Sequence, residues 1–210
     1  MTAAAARNLV EAGRAIARLG LSPGSSGNLS VKTADGILVT PTGTVLGGLR
    51  ADALSLVDEH GSVLSGPPPS KEVPLHLAFY ARDPAHRAVV HLHSPYAVAQ
   101  ACRAPWSDHS AIAPLTPYFV MRVGRAPLVP YARPGSAELA GHLTQLDGHF
   151  RAALLSNHGS ITAGASLAAA MDAAVELEEA ARLMAILNGT GNPLDDAQIA
   201  DLVDHFAAIW

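Results

Sequence analysis

The chain has 210 residues, of which 49% are hydrophobic and 15% are charged, and its net charge is −4 at pH 7. A chain of this length and composition can bury a substantial aliphatic core, which excludes an intrinsically disordered protein. The charge is small, negative and free of Lys or Arg runs, which excludes the concentrated basic surface of a nucleic-acid or anionic-membrane binder. Ten histidines stand out in so sparsely charged a chain, because neutral imidazole serves metal binding and acid–base catalysis.

The first third of the chain, up to the proline-rich stretch at 66–69, is predicted to contain one helix and two pairs of short strands: helix 3–19 and strands 29–32, 37–40, 54–58 and 62–64. A second helix is expected to begin near Ser70, with Ser70 or Lys71 as its cap and Glu72 in its first turn.

The remainder of the chain is predicted to mix the two element types: strand 88–93, helix 95–102, helix 136–146, strand 152–156, helix 166–188 and helix 194–206. Residues 106–134 are expected to be irregular, with two short strands around Val120 and Leu128. Because helices and strands alternate without a linker or an internal repeat, we predict a single α/β domain over residues 1–210.

The expected compartment is the cytoplasm. The single cysteine, Cys102, cannot form an internal disulfide, and the N-terminal residues carry charges through their apolar stretch, unlike a signal peptide. The chain has no apolar run close to the ~18 residues of a membrane-spanning helix. We therefore expect no membrane partner.

The strongest chemical signal is His91-Leu92-His93, because residues i and i+2 of a strand face the same side and both rings can approach one ion. An accidental pair of surface or core histidines is an equal alternative for this pair alone. His158 is the best third candidate, because it follows an apolar strand and Gly159 lets the backbone bend there; a lone histidine would more often cap or pack. Three imidazoles with an open position are typical of a catalytic divalent site, most simply Zn²⁺, with Mn, Co, Ni or Fe as alternatives.

Glu72 is the candidate carboxylate, since it follows the proline-rich loop at a helix start whose dipole favours its ionised form. It can serve as a metal ligand, as a general base or only as a capping charge.

Two loops have the composition of an anion-binding site: Ser25-Ser26-Gly27-Asn28 and Thr40-Pro41-Thr42-Gly43. In each, a glycine lets the backbone turn so that its N–H groups are available to an anion, and short hydroxyl or amide side chains add further donors. Such clusters are ordinary turns in most proteins. Ser70 and Lys71 would add a hydroxyl and a cation.

Five motifs follow one another between residues 25 and 159: SSGNLSV, TPTG, PSKE, HLHS and NHG. This ordered set resembles the class II aldolase/adducin family of metal-dependent sugar-phosphate aldolases, and the resemblance extends from about residue 8 to residue 206. The resemblance implies a three-layer α/β/α fold around a mixed, mostly antiparallel sheet. It also implies a homotetramer with four-fold symmetry and active sites at the subunit boundaries.

Within that family, the chain is most similar to the 3-oxo-tetronate 4-phosphate decarboxylases. The similarity is carried by PSKE followed by VPLHL and by residues 115–124 and 129–135; at the place of PSKE, the fuculose-type aldolases have a motif that resembles PSSE. This implies decarboxylation to dihydroxyacetone phosphate and CO₂ through a metal-stabilised enediolate. The alternative activities are retro-aldol cleavage of a fuculose- or ribulose-type sugar phosphate and dehydration of a methylthio-sugar phosphate. An adducin-type interaction module is disfavoured, because such a protein would lack the ligand set.

Carried onto this chain, the resemblance implies that His91, His93 and His158 bind a divalent metal, with Zn²⁺ favoured over Mn²⁺, Co²⁺ or Mg²⁺. It implies that Glu72 is the catalytic acid–base and a fourth ligand of the empty enzyme. Tyr118, lent by a neighbouring subunit, is the candidate second catalytic residue. The phosphate and adjacent oxygens of a small phosphorylated sugar acid would be held by Gly27, Asn28, Thr42, Gly43, Ser70 and Lys71.

The other histidines divide into two groups. His76 lies one helical turn after Glu72, where it could support that carboxylate from behind. The rest are expected to be solvated: His60, His86, His109, His142, His149 and His205.

Overall fold

The computed structural model describes residues 2–210. The helices are α1 (Thr2–Arg18), α2 (Val73–Arg82), α3 (Pro95–Ala101), α4 (Pro117–Arg122), α5 (Ala137–Gln145), α6 (Leu167–Leu187) and α7 (Asp196–Phe206). The strands are β1 (Asn28–Thr33), β2 (Gly36–Val39), β3 (Ser55–Val57), β4 (Val63–Ser65), β5 (Ala88–Leu92), β6 (Leu128–Val129), β7 (Ala152–Leu155) and β8 (Gly159–Gly164). Across residues 2–210, no helix combines the length and the apolar character needed to cross a lipid bilayer.

All eight strands form one sheet in the order β4-β3-β2-β1-β5-β8-β7-β6. Neighbouring strands are antiparallel except for β6 and β7, which run parallel. The prediction of a mixed, mostly antiparallel sheet is therefore confirmed.

Helices cover both faces of this sheet because successive strand residues point to opposite sides. In β5, Val89 packs in the cluster that contains Phe79 of α2 and Leu143 of α5. Its neighbour Val90 packs on the other side, in the cluster that contains Leu9 of α1 and residues of α6. The predicted three-layer α/β/α arrangement is confirmed, with α2 and α5 on one side and α1 and α6 on the other.

Two predictions about local structure are wrong. Residues around Val120 form helix α4 instead of a strand, because Thr116 accepts a hydrogen bond from the Phe119 N–H, Pro117 occupies the first turn, and Val120 is buried. Strand β8 was missed, because only Ile161 and Thr162 of its six residues are β-branched and the others are small. It is fully buried between β5 and β7.

Two smaller differences concern α2 and the loop that follows it. The N-cap of α2 is Glu72, while the hydroxyl of Ser70 accepts the Glu72 N–H. His86 is buried, contrary to expectation, because the loop after α2 turns back and places its Nδ1 2.9 Å from the Phe79 carbonyl oxygen. His142 is half-buried, and His60, His109, His149 and His205 are exposed as expected.

The sheet order brings separate parts of the chain to one point. Strand β5 ends between the starts of its two antiparallel neighbours, so that His91 pairs with Asn28 of β1 and Leu92 pairs with Ser160 of β8. The residue before β8, His158, therefore lies beside the end of β5. The start of α2, which carries Glu72, faces the same edge.

Candidate metal centre and active site

Three imidazole rings meet just past the end of β5. The ring centroids of His91, His93 and His158 lie 4.8 to 4.9 Å apart. One ligand atom from each ring and one from Glu72 all lie within 4.8 Å of one another. The structure thus brings together the four residues that the sequence nominated as metal ligands.

The surroundings of His91 define which of its nitrogens faces the cluster. Its Nδ1 lies 2.8 Å from the Ser160 carbonyl oxygen, and because a carbonyl only accepts, this nitrogen carries the hydrogen. Its Nε2 then points into the cluster, 3.0 Å from His93 Nε2 and 3.2 Å from Glu72 Oε2. The lone pairs of these two nitrogens and of the carboxylate oxygen repel one another at such distances unless a proton or a cation lies between them. A set of three imidazole nitrogens and one carboxylate suits a divalent ion such as zinc.

The Glu72 side chain turns towards the histidines and makes no capping bond to α2. Its Oε2 accepts a hydrogen bond from Asn28 Nδ2 at 2.8 Å, and its Oε1 lies 3.2 Å from His158 Nε2. Among the described residues, the buried Oε1 finds no partner with hydrogen-bond geometry, and neither does His158 Nδ1. The capping alternative is therefore excluded, and the unpaired Oε1 beside a ring nitrogen fits a metal-ligand position.

The surroundings of the cluster favour an ionised Glu72 and a neutral His93. Burial alone would raise the pKa of Glu72, but the charge at His91, the close approach of the His158 ring and the hydrogen bond from Asn28 outweigh it and hold that pKa well below its usual range. Burial, followed by the charges of His91 and His158, lowers the pKa of His93 to about 4. An ionised carboxylate and neutral imidazole are the protonation states that bind a divalent metal.

Gly159 is required for a reason other than the predicted one. The residue with a left-handed backbone in this turn is Asn157, with φ 55°, while Gly159 has ordinary strand geometry. A Cβ on Gly159 would lie 2.4 Å from the Leu92 carbonyl oxygen and 3.2 Å from His93 Cδ2. Because Gly159 has no side chain, β8 can lie close to the end of β5.

A cavity of about 220 Å³ opens beside Glu72, His93 and His158. Its loops are joined by backbone hydrogen bonds from the Ser70 N–H to the Thr40 carbonyl and from the Thr42 N–H to the Pro68 carbonyl. The cavity is lined by every residue predicted to hold the substrate: Gly27, Asn28, Thr42, Gly43, Ser70 and Lys71. The two loops and the PSKE segment thus form one wall of one cavity.

Two features of that wall bear on anion binding. Ser70 is buried and accepts the Glu72 N–H, which leaves its own hydroxyl hydrogen free for a ligand oxygen. Lys71 is exposed at the mouth of the cavity, where Gly135 packs so closely that a Cβ on Gly135 would lie 3.0 Å from Lys71 Cγ.

Pro134 lines the same cavity but was not identified from the sequence, because only its position in space, and no local motif, marks it as part of the site.

Tyr118 lies apart from this cavity. It is on α4, its side chain is 57% exposed, and the Arg122 guanidinium stands 5.5 Å from its ring centroid. It is absent from the described residues that line the cavity of its own chain.

Two buried residues behind the site were also missed. Ser30 and Tyr80 are hydrogen-bonded to each other, and Ser30 contacts His76. The available signal was periodic: Ser30 shares a strand face with Asn28, and Tyr80 follows His76 by one helical turn.

Comparison with known proteins gives consistent matches over most of the chain. Residues 7–185 match the family described as the class II aldolase and adducin N-terminal domain. The chain is 48% identical over 180 residues to a 3-oxo-tetronate 4-phosphate decarboxylase from Pectobacterium atrosepticum, covering 85% of this chain and 83% of that protein. It is 32% identical over 206 residues to an L-fuculose phosphate aldolase from Escherichia coli, covering 96% and 93%.

A solved structure agrees with the fold. YgbL from Escherichia coli, described as an aldolase, epimerase or decarboxylase, superimposes with a TM-score of 0.91 at 41% identity and covers 96% of this chain and 98% of its own.

Proposed function

Because this chain belongs to the class II aldolase and adducin family, we propose that it decarboxylates a 3-oxo-tetronate 4-phosphate to dihydroxyacetone phosphate and CO₂. The observation that carries the proposal is the 48% identity to a decarboxylase of that name, against 32% to a fuculose phosphate aldolase. Lys71 supports it, because it places a cation at the mouth of a cavity that would receive a doubly acidic substrate.

The proposed ligands of a divalent metal are His91, His93 and His158, with Glu72 as a fourth ligand in the substrate-free protein, and Zn²⁺ is the ion that this donor set favours, ahead of Mn²⁺, Co²⁺ or Mg²⁺. When bound, the ion would act as a Lewis acid for the negative charge that develops on the substrate oxygens.

Glu72 is proposed to supply the proton that the reaction consumes. Loss of the C1 carboxylate as CO₂ leaves an electron pair at C2, and dihydroxyacetone phosphate forms when that carbon is protonated. Glu72 lines the cavity and is ionised in the free protein, so it must first take up a proton from water and then deliver it to C2.

The phosphate is proposed to be held by the loop residues around Gly27, Asn28, Thr42 and Gly43, with the Ser70 hydroxyl as a further donor. Lys71 is the only Lys or Arg among the lining residues in the described part of the chain. Backbone N–H groups and hydroxyls would therefore supply most of the contacts, and one cation would balance the charge.

The experiment that tests this function compares two substrates on the metal-loaded protein. Incubation with 3-oxo-tetronate 4-phosphate is expected to release CO₂ and dihydroxyacetone phosphate in equal amounts, while fuculose 1-phosphate yields no lactaldehyde. Lactaldehyde formation without CO₂ release would establish retro-aldol cleavage, the alternative that the fuculose phosphate aldolase relative supports.

Replacing Lys71 by Gln is expected to lower kcat/KM for the tetronate about 10- to 100-fold, mainly through KM, because a hydrogen bond from a charged donor contributes about 1.5–3 kcal/mol. Lys71→Arg retains the charge and is the matched control, expected to keep most of that value. Steady-state CO₂ release measures both variants. Equal kcat/KM for Lys71→Gln and the wild type would remove Lys71 from substrate binding.

We also propose a cytoplasmic homotetramer with active sites at the subunit boundaries, to which a neighbour contributes Tyr118. The exposure of Tyr118 supports such a contribution, and a free Cys102 is compatible with a reducing compartment.

A further inference from the structure

A series of buried hydrogen bonds leads from Glu72 away from the cavity. Asn28 bonds to Glu72 through its Nδ2, and its Oδ1 lies 2.5 Å from His76 Nε2. His76 Nδ1 lies 2.7 Å from Ser30 Oγ, which lies 2.8 Å from the Tyr80 hydroxyl. None of these five side chains belongs to a residue more than 5% exposed, so water does not compete for their bonds.

Each bond in this series has one consistent direction. An ionised Glu72 only accepts, so Asn28 must present its NH₂ group to Glu72 and its oxygen to His76. His76 must then donate from Nε2, which leaves Nδ1 to accept the hydroxyl hydrogen of Ser30. Ser30 Oγ in turn accepts the hydrogen of Tyr80.

The protonation state of His76 agrees with this assignment. Burial and, next, the charge of His91 lower the pKa of His76 to about 3, so the ring is neutral and carries a single N–H. Every hydrogen bond in the series therefore has one donor hydrogen and one acceptor.

The series is not a route for protons into the site. A carboxamide stands between His76 and Glu72, and an amide does not release its N–H hydrogens as an acid at neutral pH. What the series can do is fix orientation, since rotation of Asn28 would place two acceptors against each other at Glu72.

We propose that His76, held by Ser30 and Tyr80, is a positioning residue that locks the Asn28 amide and thereby orients the Glu72 carboxylate between the histidines and the cavity. This inference rests on the proposed acid–base role of Glu72. It gives a role to three residues that line neither the cavity nor the metal centre.

The test uses two replacements of His76 that differ in which nitrogen they imitate. Gln reaches the position of Nε2 and keeps a donor for Asn28, whereas Asn reaches only the position of Nδ1. We expect His76→Asn to lower kcat about 10- to 100-fold, in the range typical of residues that support metal ligands, with KM changed less than about threefold. His76→Gln should recover most of kcat.

The control is His86→Asn. His86 is also a buried histidine, but its Nδ1 contacts the Phe79 backbone carbonyl outside the series. Asn at position 86 can keep that contact but removes the ring that packs against Phe79, with centroids 5.9 Å apart, so it should lower the thermal unfolding midpoint and leave kcat within about threefold. Equal kcat losses in His76→Asn and His76→Gln, or an equal loss in His86→Asn, would overturn the proposal.

A readout independent of activity completes the test. In ¹⁵N-histidine-labelled wild-type protein, NMR should show His76 as the neutral Nε2–H tautomer from pH 6 to 8; an Nδ1–H or doubly protonated ring would contradict the proposal. This measurement decides the matter if His76→Asn does not fold. It also separates the two proposals, because wild-type protein inactive on both substrates refutes the proposed function and leaves the tautomer result standing.

Discussion

Replacing Glu72 by Gln is expected to lower kcat about 10²- to 10⁴-fold while the protein remains folded, which is the range for loss of a general acid–base. Glutamine has nearly the same size as glutamate, but it cannot take up and deliver a proton at C2. Its amide also presents a donor to a cluster in which Asn28 already donates. Steady-state release of CO₂, together with a thermal unfolding curve, measures the effect.

Glu178→Gln is the matched control for this variant. Glu178 is also a buried carboxylate, but it accepts the backbone N–H groups of Tyr96 and Ala97 at the start of α3. We expect it to lose stability and to keep kcat within about threefold. If Glu72→Gln retained more than a tenth of the wild-type kcat, Glu72 would not be the acid–base.

Replacing His93 by Ala is expected to weaken metal binding about 10²- to 10³-fold. The free energy of binding a structural zinc ion, about 10–16 kcal/mol, is shared among four ligands, so one ligand contributes roughly 2.5–4 kcal/mol. His93 is only half-buried and lies after the last residue of β5, so the sheet should remain intact. Competition with a chelator of known affinity gives the metal Kd directly.

His142→Ala serves as the control for metal binding. His142 is half-buried as well, but it lies on α5 beside the Pro130 carbonyl and outside the histidine cluster. We expect its metal affinity to equal that of the wild type. Chelation of the wild-type protein should abolish activity, and added Zn²⁺ should restore it. Wild-type affinity in His93→Ala would refute the assigned ligand set.

Local signals predicted most of the elements because short-range physics defines them. Ser136 and Ser166 accept hydrogen bonds from the first turns of α5 and α6, as their sequence positions indicated. The same kind of signal, Thr116 with Pro117, marks α4, but the β-branched residues of that segment favoured a strand. Strand β8 had only a weak local signal, the β-branched pair Ile161 and Thr162 among small residues, and it is stabilised by pairing with β5 and β7.

The residues of the histidine cluster, which we propose as metal ligands, were also accessible from the sequence. The i, i+2 spacing of His91 and His93 indicated a shared face, and the histidine turn before Gly159 supplied a third ring. Their convergence depended on strand order, which places the starts of β1 and β8 beside the end of β5. Spacing cannot report that order, since the pairing partners lie far apart along the chain.

The ten histidines show what the sequence determines and what the tertiary structure determines. The sequence by itself determined the donor types, the periodicity of the elements and the family motifs, because these depend on residues close together in the chain. Only the tertiary structure decided that Glu72 leaves its helix end for the histidines, that His86 is buried and that His76 supports Asn28. Those outcomes depend on burial and on hydrogen bonds between distant segments, and such contacts exist only once the sheet and α2 have packed together.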